Sequence, residues 1–288
     1  MGGRCSRESD MRTFVSLTAA MLVCGALPAL GDTPPEMNEV TEPLLGPLPS
    51  WLDDALRQRA MQASLSGMAV DLAAGTDVPI PAGVVVQPGT LLLAHGACTT
   101  GFLLYKGGVT YATTAGHCVS YVGEPVLFVV GTLLLGGGYV SSFQQGGVGY
   151  DWAIVRLDPA VATRAVAALP VIGGPTCPPA TPLAGAQMAY WGQGVADNAP
   201  LVEGAAKLAT FVSSNTQSFT LDPAVDHFVV TSQGDSGSPV IRVETRISTL
   251  CNKPALGIIT AKSTTSDRLY GTRLQAFAND YTLLLAAV

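Results

Sequence analysis

The sequence predicts an all-β protein made of two antiparallel barrels with a cleft between them. Short apolar runs, separated by glycine and proline, fall into two sets of roughly ninety residues each, as in folds built of many short strands. The chain contains 32 glycines and 20 prolines among 288 residues, which favours frequent turns over long helices. Hydrophobic residues make up 48% and charged residues 12% of the chain, so it can fill a large core and is not a charge-driven disordered protein.

The charge of the chain argues against one class of function. The formal net charge is -6, and the isoelectric point is near 5.0. The sequence has no basic stripe that could displace counterions from a polyphosphate backbone. We therefore expect no nucleic-acid partner.

The N-terminus has the pattern of a secretory signal peptide. Three arginines precede an uncharged apolar stretch over residues 14–30, which ends in small residues. A membrane anchor is the alternative, but the stretch contains Pro28 and is short for a span of about 20 residues. Cys24 raises a lipoprotein alternative, which Val23 disfavours because a lipid-attachment site has a small residue there. We expect residues 1–31 to be removed and the mature protein to be secreted, without membrane contact.

Cysteines predict disulfides rather than a metal site. Four remain after removal of the signal peptide, namely Cys98, Cys118, Cys177 and Cys251. An even number in an exported chain predicts two disulfides, for which three pairings exist. Cys98 to Cys118 would close a tight hairpin, which leaves Cys177 to Cys251. A zinc site formed by these first two cysteines with His95 and His117 is the alternative, and an oxidising compartment disfavours it.

Residues 32–82 precede the main strands and are expected to form a linker with a short helix. Five prolines and four acidic residues over 32–49 predict extended chain. Ser50–Asp53 resembles a capping box that opens an amphipathic helix ending near Gln62. The segment is either a short propeptide or an N-terminal arm.

The first barrel is expected over residues 83–172 and the second over 173–288. Phe102–Tyr105 and Val109–Thr113, joined by a turn that contains glycine, predict a hairpin. The other predicted strands of the first barrel are Val126–Val130, Thr132–Leu135 and Trp152–Leu157. The second barrel is predicted to contain Gln187–Trp191, Ala206–Val212, His227–Thr231, Val240–Val243 and Leu256–Ala261, followed by a closing helix over Thr272–Leu285.

Three segments contain side chains suited to nucleophilic hydrolysis. They are Thr-Ala-Gly-His-Cys over 114–118, Tyr-Asp-Trp-Ala-Ile-Val over 150–155 and Gly-Asp-Ser-Gly-Ser-Pro over 234–239. A serine hydroxyl becomes an effective nucleophile only when a neutral imidazole accepts its proton, and a buried carboxylate must orient that imidazole. Ser236, His117 and Asp151 supply these groups. Each segment alone also occurs in turns without function, whereas the three together predict a catalytic triad.

The glycines beside Ser236 predict how the transition state would be stabilised. They allow the backbone to turn tightly, so that the N–H groups of Gly234 and Ser236 point together. Two such donors form an oxyanion hole, and each is worth on the order of 3 kcal/mol to the transition state.

In the order His, Asp, Ser, these segments resemble the chymotrypsin/trypsin-like serine proteases, and the secreted bacterial branch in particular. The resemblance covers roughly residues 83–288, and the expected Cys98–Cys118 bridge resembles the first disulfide of that branch. It implies two six-stranded barrels with a C-terminal helix, with His117 and Asp151 on the first barrel and Ser236 on the second.

The sequence departs from the family pattern at two places. Ser238 replaces a glycine of the usual motif, a change that leaves the oxyanion donors intact. No Ile-Val-Gly-Gly segment occurs near residue 80, so no freed N-terminus is expected to pair with Asp235. The resemblance therefore implies an internal partner for Asp235, which the sequence leaves unidentified.

The resemblance also places four residues at the substrate pocket. Val230 aligns with the pocket floor, where the absence of a carboxylate disfavours cleavage after arginine or lysine. Thr260, Ala261 and Lys262 align with the strand that pairs with the substrate backbone. Lys262 is expected either to narrow the pocket and attract acidic side chains or to be a solvated surface lysine. We expect a preference for apolar or small residues before the cleaved bond.

The expected function is a secreted serine endopeptidase that works through an acyl-enzyme intermediate. Its partners would be protein or peptide substrates and protein protease inhibitors, and the protein would be a monomer without a metal or other cofactor. Two alternatives stay open at this point. One is a catalytically silent interaction module with the same fold, and the other is an esterase with the same triad.

Overall fold

The computed structural model describes residues 39–194, 204–224, 231–243 and 252–287, all within one compact unit. The expected signal peptide lies outside the described residues. Among the helices of the described part, none is long and apolar enough to span a bilayer.

The described residues form seventeen strands and three short α-helices. In chain order the strands are β1 (Thr41–Pro43), β2 (Met68–Asp71), β3 (Thr76–Pro79), β4 (Leu91–Leu93), β5 (Ala97–Thr99), β6 (Leu103–Lys106), β7 (Val109–Thr114), β8 (Pro125–Val130), β9 (Leu133–Gln145), β10 (Asp151–Leu157), β11 (Gln187–Gly192), β12 (Ala205–Ser214), β13 (Ser218–Pro223), β14 (Pro239–Arg242), β15 (Ala255–Ser263), β16 (Leu269–Arg273) and β17 (Thr282–Leu283). The helices are α1 (Asp54–Leu65), α2 (Pro159–Ala162) and α3 (Leu274–Phe277), and a 3-10 turn spans Gly116–Cys118.

The strands form two antiparallel sheets. The first sheet has ten strands, with the order β17-β6-β7-β10-β9-β8-β4-β5, and β2 and β3 attach to it at β9. The second sheet has the order β1-β15-β14-β11-β12-β13-β16, and pairing of β15 with β16 closes six of its strands into a barrel. The predicted all-β class is confirmed, with one closed six-stranded barrel and a second large sheet. The first sheet is larger than the six strands expected for it.

Successive side chains of a strand point to opposite faces of its sheet, so a central strand can contact an apolar layer on each face. In β10, Ala153 and Val155 lie in the core of the first sheet, whereas Ile154 lies in a cluster shared with the second sheet. In β11, Tyr190 belongs to the core of the second barrel and Ala189 to the shared cluster. Strands buried on both faces leave few positions for charge, which accounts for the low charged fraction of the sequence.

The N-terminal region is more ordered than the sequence predicts. The described part of the expected linker over 32–49 includes β1, which pairs with β15 of the second sheet. The helix begins one turn later than expected: Asp53, not Ser50, is its N-cap, and the Asp53 carboxylate accepts a 2.7 Å hydrogen bond from the Leu56 N–H. The hairpin of β2 and β3 then joins the first sheet through β9.

The C-terminal region contains much less helix than predicted. The expected helix over Thr272–Leu285 is reduced to α3, because Thr272 and Arg273 belong to β16 and the chain extends again as β17. Strand β17 pairs with β6, so the C-terminal residues cross from the second sheet to the first. Phe277 stacks on Trp152 with the ring centroids 5.3 Å apart. This aromatic contact joins α3 to the first sheet.

A disulfide links β5 to the 3-10 turn. Cys98 and Cys118 are bonded, with 6.2 Å between their Cα atoms, and both are fully buried. Cys177 is also disulfide-bonded, whereas its expected partner Cys251 lies outside the described residues. The first bridge fixes the turn that carries His117.

Replacing both cysteines of this bridge (C98A/C118A) is expected to lower the free energy of unfolding by roughly 3 kcal/mol. The bridge closes a loop with a sequence separation of 20 residues, and its removal returns that loop entropy to the unfolded chain. Urea denaturation of the variant and the unaltered protein measures the difference. C98A alone serves as the control and should lose a similar amount, and a loss below about 1 kcal/mol in both variants would contradict the role given to the bridge.

Candidate active site

A tight turn after β7 orients His117. Gly116 has no room for a side chain, because a Cβ there would lie 1.8 Å from the Gln144 carbonyl oxygen. This close approach places the His117 N–H 2.8 Å from Asp151 Oδ1, to which it donates. The backbone of His117 is therefore held by the same carboxylate that contacts its ring.

Asp151 begins β10 and is buried. Its backbone contacts the second sheet through Thr272, whose hydroxyl donates to the Asp151 carbonyl oxygen at 3.1 Å. The Asp151 N–H in turn lies 3.4 Å from the Thr272 Oγ1 atom. These contacts fix the carboxylate where the two sheets meet.

The three predicted triad side chains form one continuous hydrogen-bonded chain. His117 Nδ1 lies 2.6 Å from Asp151 Oδ2, and His117 Nε2 lies 2.6 Å from Ser236 Oγ. With the proton on Nδ1, the ring donates to Asp151 and its Nε2 atom accepts from the Ser236 hydroxyl. This arrangement can transfer the hydroxyl proton to the imidazole.

The loop before β14 contains Ser236 and Gly234. Gly234 has a φ of +97°, a conformation that disfavours any residue with a Cβ. Thr99 binds the loop from the first sheet, since its N–H donates to the Ser236 carbonyl at 2.7 Å and its hydroxyl to the Gly234 carbonyl at 2.8 Å. The N–H of Gly234 donates to the carbonyl oxygen of Leu44 at 2.5 Å. The first predicted oxyanion donor is thus aimed at a carbonyl oxygen.

Lys207 is the internal partner of Asp235 that the sequence left unidentified. Lys207 Nζ donates to Asp235 Oδ2, and the two side chains are 1% and 0% exposed. The carboxylate also accepts from the N–H groups of Gly194 and Ser232, each at 2.9 Å. Sequence reasoning missed Lys207. It lies two residues from the buried Ala209 and therefore on the same face of β12. A lysine on the apolar face of a predicted strand could have indicated a buried charge that needs an acidic partner.

Tyr190 lies in the same buried region. Burial first, and then the nearby charge of Asp235, raise the pKa of Tyr190 well above its ordinary value. The phenol therefore stays neutral, and its oxygen lies 2.5 Å from the Thr231 hydroxyl oxygen.

The predicted pocket residues are described only in part. Val230 lies outside the described residues. Thr260 and Ala261 are buried on β15, and the Thr260 carbonyl oxygen lies 3.5 Å from Ser236 Oγ. Lys262 is partly exposed and forms a 3.3 Å ion pair with Glu42. Strand β15 is therefore next to Ser236, and Lys262 faces an acidic side chain of the protein itself.

Cys98, His117 and Cys118 also bring three atoms of metal-ligating types within 4.8 Å of one another. Both sulfur atoms are bonded to each other, and His117 directs its ring nitrogens at Asp151 and Ser236. This cluster is therefore occupied by the disulfide and the hydrogen-bonded triad.

Comparison with known proteins gives a likeness of fold at low sequence identity. No protein-family model matches the chain, and no curated protein sequence matches it. Solved structures to which it is similar include Thermobifida fusca Protease A, at 15% identity over 70% of this chain and 99% of that one, with a TM-score of 0.45. Cellulomonas bogoriensis chymotrypsin is 17% identical over 70% and 99% of the two chains, with a TM-score of 0.46. An inactivated protease paralogue of the scabies mite, S-I1, is 15% identical over 67% and 91%, with a TM-score of 0.46. A fold does not by itself specify an activity, so function has to be argued from the site.

Removing the charge of Lys207 alone is expected to destabilise the protein. In K207M the Asp235 carboxylate stays buried without its cation, which costs about 3–5 kcal/mol of unfolding free energy. The matched control is K207M/D235N, in which neither side chain is charged and most of the loss should be recovered. Urea denaturation of the three proteins measures this, and equal stabilities for K207M and the unaltered protein would contradict the assignment.

Proposed function

We propose that the protein is an exported serine endopeptidase that hydrolyses peptide bonds through an acyl-enzyme on Ser236. The observation that supports this best is the hydrogen-bonded chain from Asp151 through His117 to Ser236, with 2.6 Å at both ring nitrogens. Hydrogen bonds to the backbone of each of these three residues hold it in place, and they come from different segments of the chain. Three side chains that met by chance would not be expected to have such contacts.

The proposed reaction follows from these contacts. His117 Nε2 takes the Ser236 proton as Oγ attacks the substrate carbonyl carbon, and Asp151 stabilises the imidazolium that forms. The N–H groups of Gly234 and Ser236 are proposed to bind the developing oxyanion. The imidazolium then gives its proton to the departing amine, and the same steps with water release the acid product.

One feature favours peptides over other acyl substrates. Strand β15 passes the nucleophile at Thr260 and continues to an edge where β1 pairs with it in antiparallel register. An extended peptide could bind such an edge through its backbone, a mode that a simple ester cannot use. We therefore place the esterase second and the catalytically silent module third.

The buried Cys98–Cys118 disulfide supports an oxidising compartment, in keeping with secretion.

A serine-reactive fluorophosphonate is expected to label the protein at Ser236. The S236A variant should lose labelling completely, because it removes the attacking oxygen. S238A is the matched control, since it deletes a hydroxyl that is also buried in the same loop, and it should keep its label. Intact-mass spectrometry counts the added groups, and equal labelling of S236A and S238A would refute the proposed nucleophile.

Replacing Asp151 by asparagine should lower the rate of casein hydrolysis by about 10⁴-fold. The asparagine amide group favours the wrong imidazole tautomer, so that Nε2 no longer accepts the serine proton. The T176V variant is the control, since Thr176 bonds to Asn252 away from the site, and it should retain activity within a few-fold. Unchanged casein hydrolysis in D151N would exclude the proposed role of the carboxylate.

A further inference from the structure

The N-terminal segment, defined as residues 39–46, lies beside the nucleophile as an extended strand. Thr41, Glu42 and Pro43 pair with Ser263, Lys262 and Ala261 of β15, in antiparallel register. The pairing ends one residue from Thr260, whose carbonyl oxygen is 3.5 Å from Ser236 Oγ. The segment therefore follows the edge that the proposed function assigns to the backbone of a peptide substrate.

Leu44 follows this strand and is placed like the residue before a cleaved bond. Its side chain is 1% exposed and belongs to the apolar cluster of the second barrel, together with Val240 and Ile259. Its carbonyl oxygen accepts the 2.5 Å hydrogen bond from Gly234. The Leu44 carbonyl thus contacts a proposed oxyanion donor, while the Leu44 side chain fills an apolar pocket.

The chain is also held on the far side of the Leu44–Leu45 bond. Gly46 and Ala97 exchange two backbone hydrogen bonds, each 2.9 Å long. Leu48 and Leu52 then pack against the apolar cluster that contains Ala97. The peptide bond after Leu44 is consequently fixed from both directions.

Side-chain and backbone contacts hold the outer end of the segment. The Glu39 carboxylate accepts hydrogen bonds from the hydroxyls of Tyr270 and Ser266. The Tyr270 bond is the main reason that the pKa of Glu39 lies below its ordinary value. The Val40 carbonyl accepts from the Thr264 N–H at 2.9 Å. Ser236 is 0% exposed, and the segment occupies the β15 edge beside it.

We infer that the first substrate of this protein is its own chain, and that Ser236 cleaves the Leu44–Leu45 bond within the same molecule. This inference rests on the proposed function, and it adds a cleavage site and a substrate class. That class is an extended peptide with leucine immediately before the cleaved bond.

The proposed step is an ordinary hydrolysis. Ser236 Oγ bonds to the Leu44 carbonyl carbon while its proton passes to His117, and the C–N bond to Leu45 breaks as that proton moves to the Leu45 nitrogen. One water molecule then hydrolyses the ester and returns a proton to Ser236. The net reaction consumes one peptide bond and one water, and it yields a carboxylate at Leu44 and an amine at Leu45.

Cleavage would change what holds the segment. The main part of the chain would then begin at Leu45 and stay bound to the first sheet through Gly46 and the packing of α1. Residues up to Leu44 would no longer be covalently attached and would keep only their non-covalent contacts with the second sheet. Departure of this part uncovers Ser236 and the edge of β15. The segment would thus keep the site closed until the bond is cut.

The test compares intact masses of four purified full-length proteins over time. The unaltered chain should yield a fragment that begins at Leu45, and S236A should stay whole. L44D should be cut at this bond more than about tenfold more slowly, because a carboxylate does not suit an apolar pocket. L183D is the matched control, since Leu183 is 81% exposed, and it should be cut at the unaltered rate. Because the reaction is intramolecular, the rate constant should not change on tenfold dilution.

Two outcomes would overturn the inference: an unaltered chain that stays whole or is cut elsewhere, and a rate that rises with protein concentration. Fluorophosphonate labelling of L44D, whose pocket is no longer filled by leucine, separates this failure from failure of the proposed function. If L44D is labelled at Ser236 while the unaltered chain stays whole, only self-cleavage is wrong. If neither protein is labelled and none is cut, the proposed function itself is wrong.

Discussion

The site depends on His117 lying within hydrogen-bond distance of two groups that belong to different sheets. Asp151 starts β10 of the first sheet, whereas Ser236 precedes β14 of the second. Hydrogen bonds weaken steeply as the donor and acceptor separate, so a relative shift of about 1 Å between the sheets would break the chain of contacts. The shared apolar cluster and the contacts of Thr272 with Asp151 resist such a shift. The geometry of the site therefore depends on the packing between the sheets.

The same packing restricts which charged side chains can lie in the interior. A buried lysine and a buried aspartate are tolerated only when they pair with each other, and such a pair does not by itself show that the fold is more stable. Lys207 and Asp235 have a clearer role in fixing conformation, because Asp235 also accepts backbone hydrogen bonds from Gly194 and Ser232. These contacts define the path of the loop one residue before Ser236. The charge pair thus shapes the nucleophile's surroundings without touching the nucleophile.

Local pattern accounts for what the sequence predicted well. The hairpin of β6 and β7 and the strands β8, β10 and β11 follow from short apolar runs bounded by turns. Three short motifs contain the side chains of His117, Asp151 and Ser236, which the structure brings within hydrogen-bond distance. Contacts between distant segments account for what was missed. Strand β1 has no apolar alternation and is a strand only because β15 offers it an edge. The predicted C-terminal helix failed for a related reason, since pairing of β17 with β6 overrides local helix propensity.

Thr99 binds the loop that contains Ser236 to the first sheet. Its N–H and hydroxyl draw the carbonyls of Ser236 and Gly234 toward the first sheet. The Gly234 carbonyl shares its peptide group with the Asp235 N–H, which donates to the Ser232 carbonyl at 3.1 Å, while the Gly234 N–H donates to the Leu44 carbonyl. Thr114 in turn donates from its hydroxyl to the Thr99 carbonyl at 2.9 Å. Because these contacts come from the first sheet and not from the N-terminal segment, departure of that segment would leave them in place around Ser236.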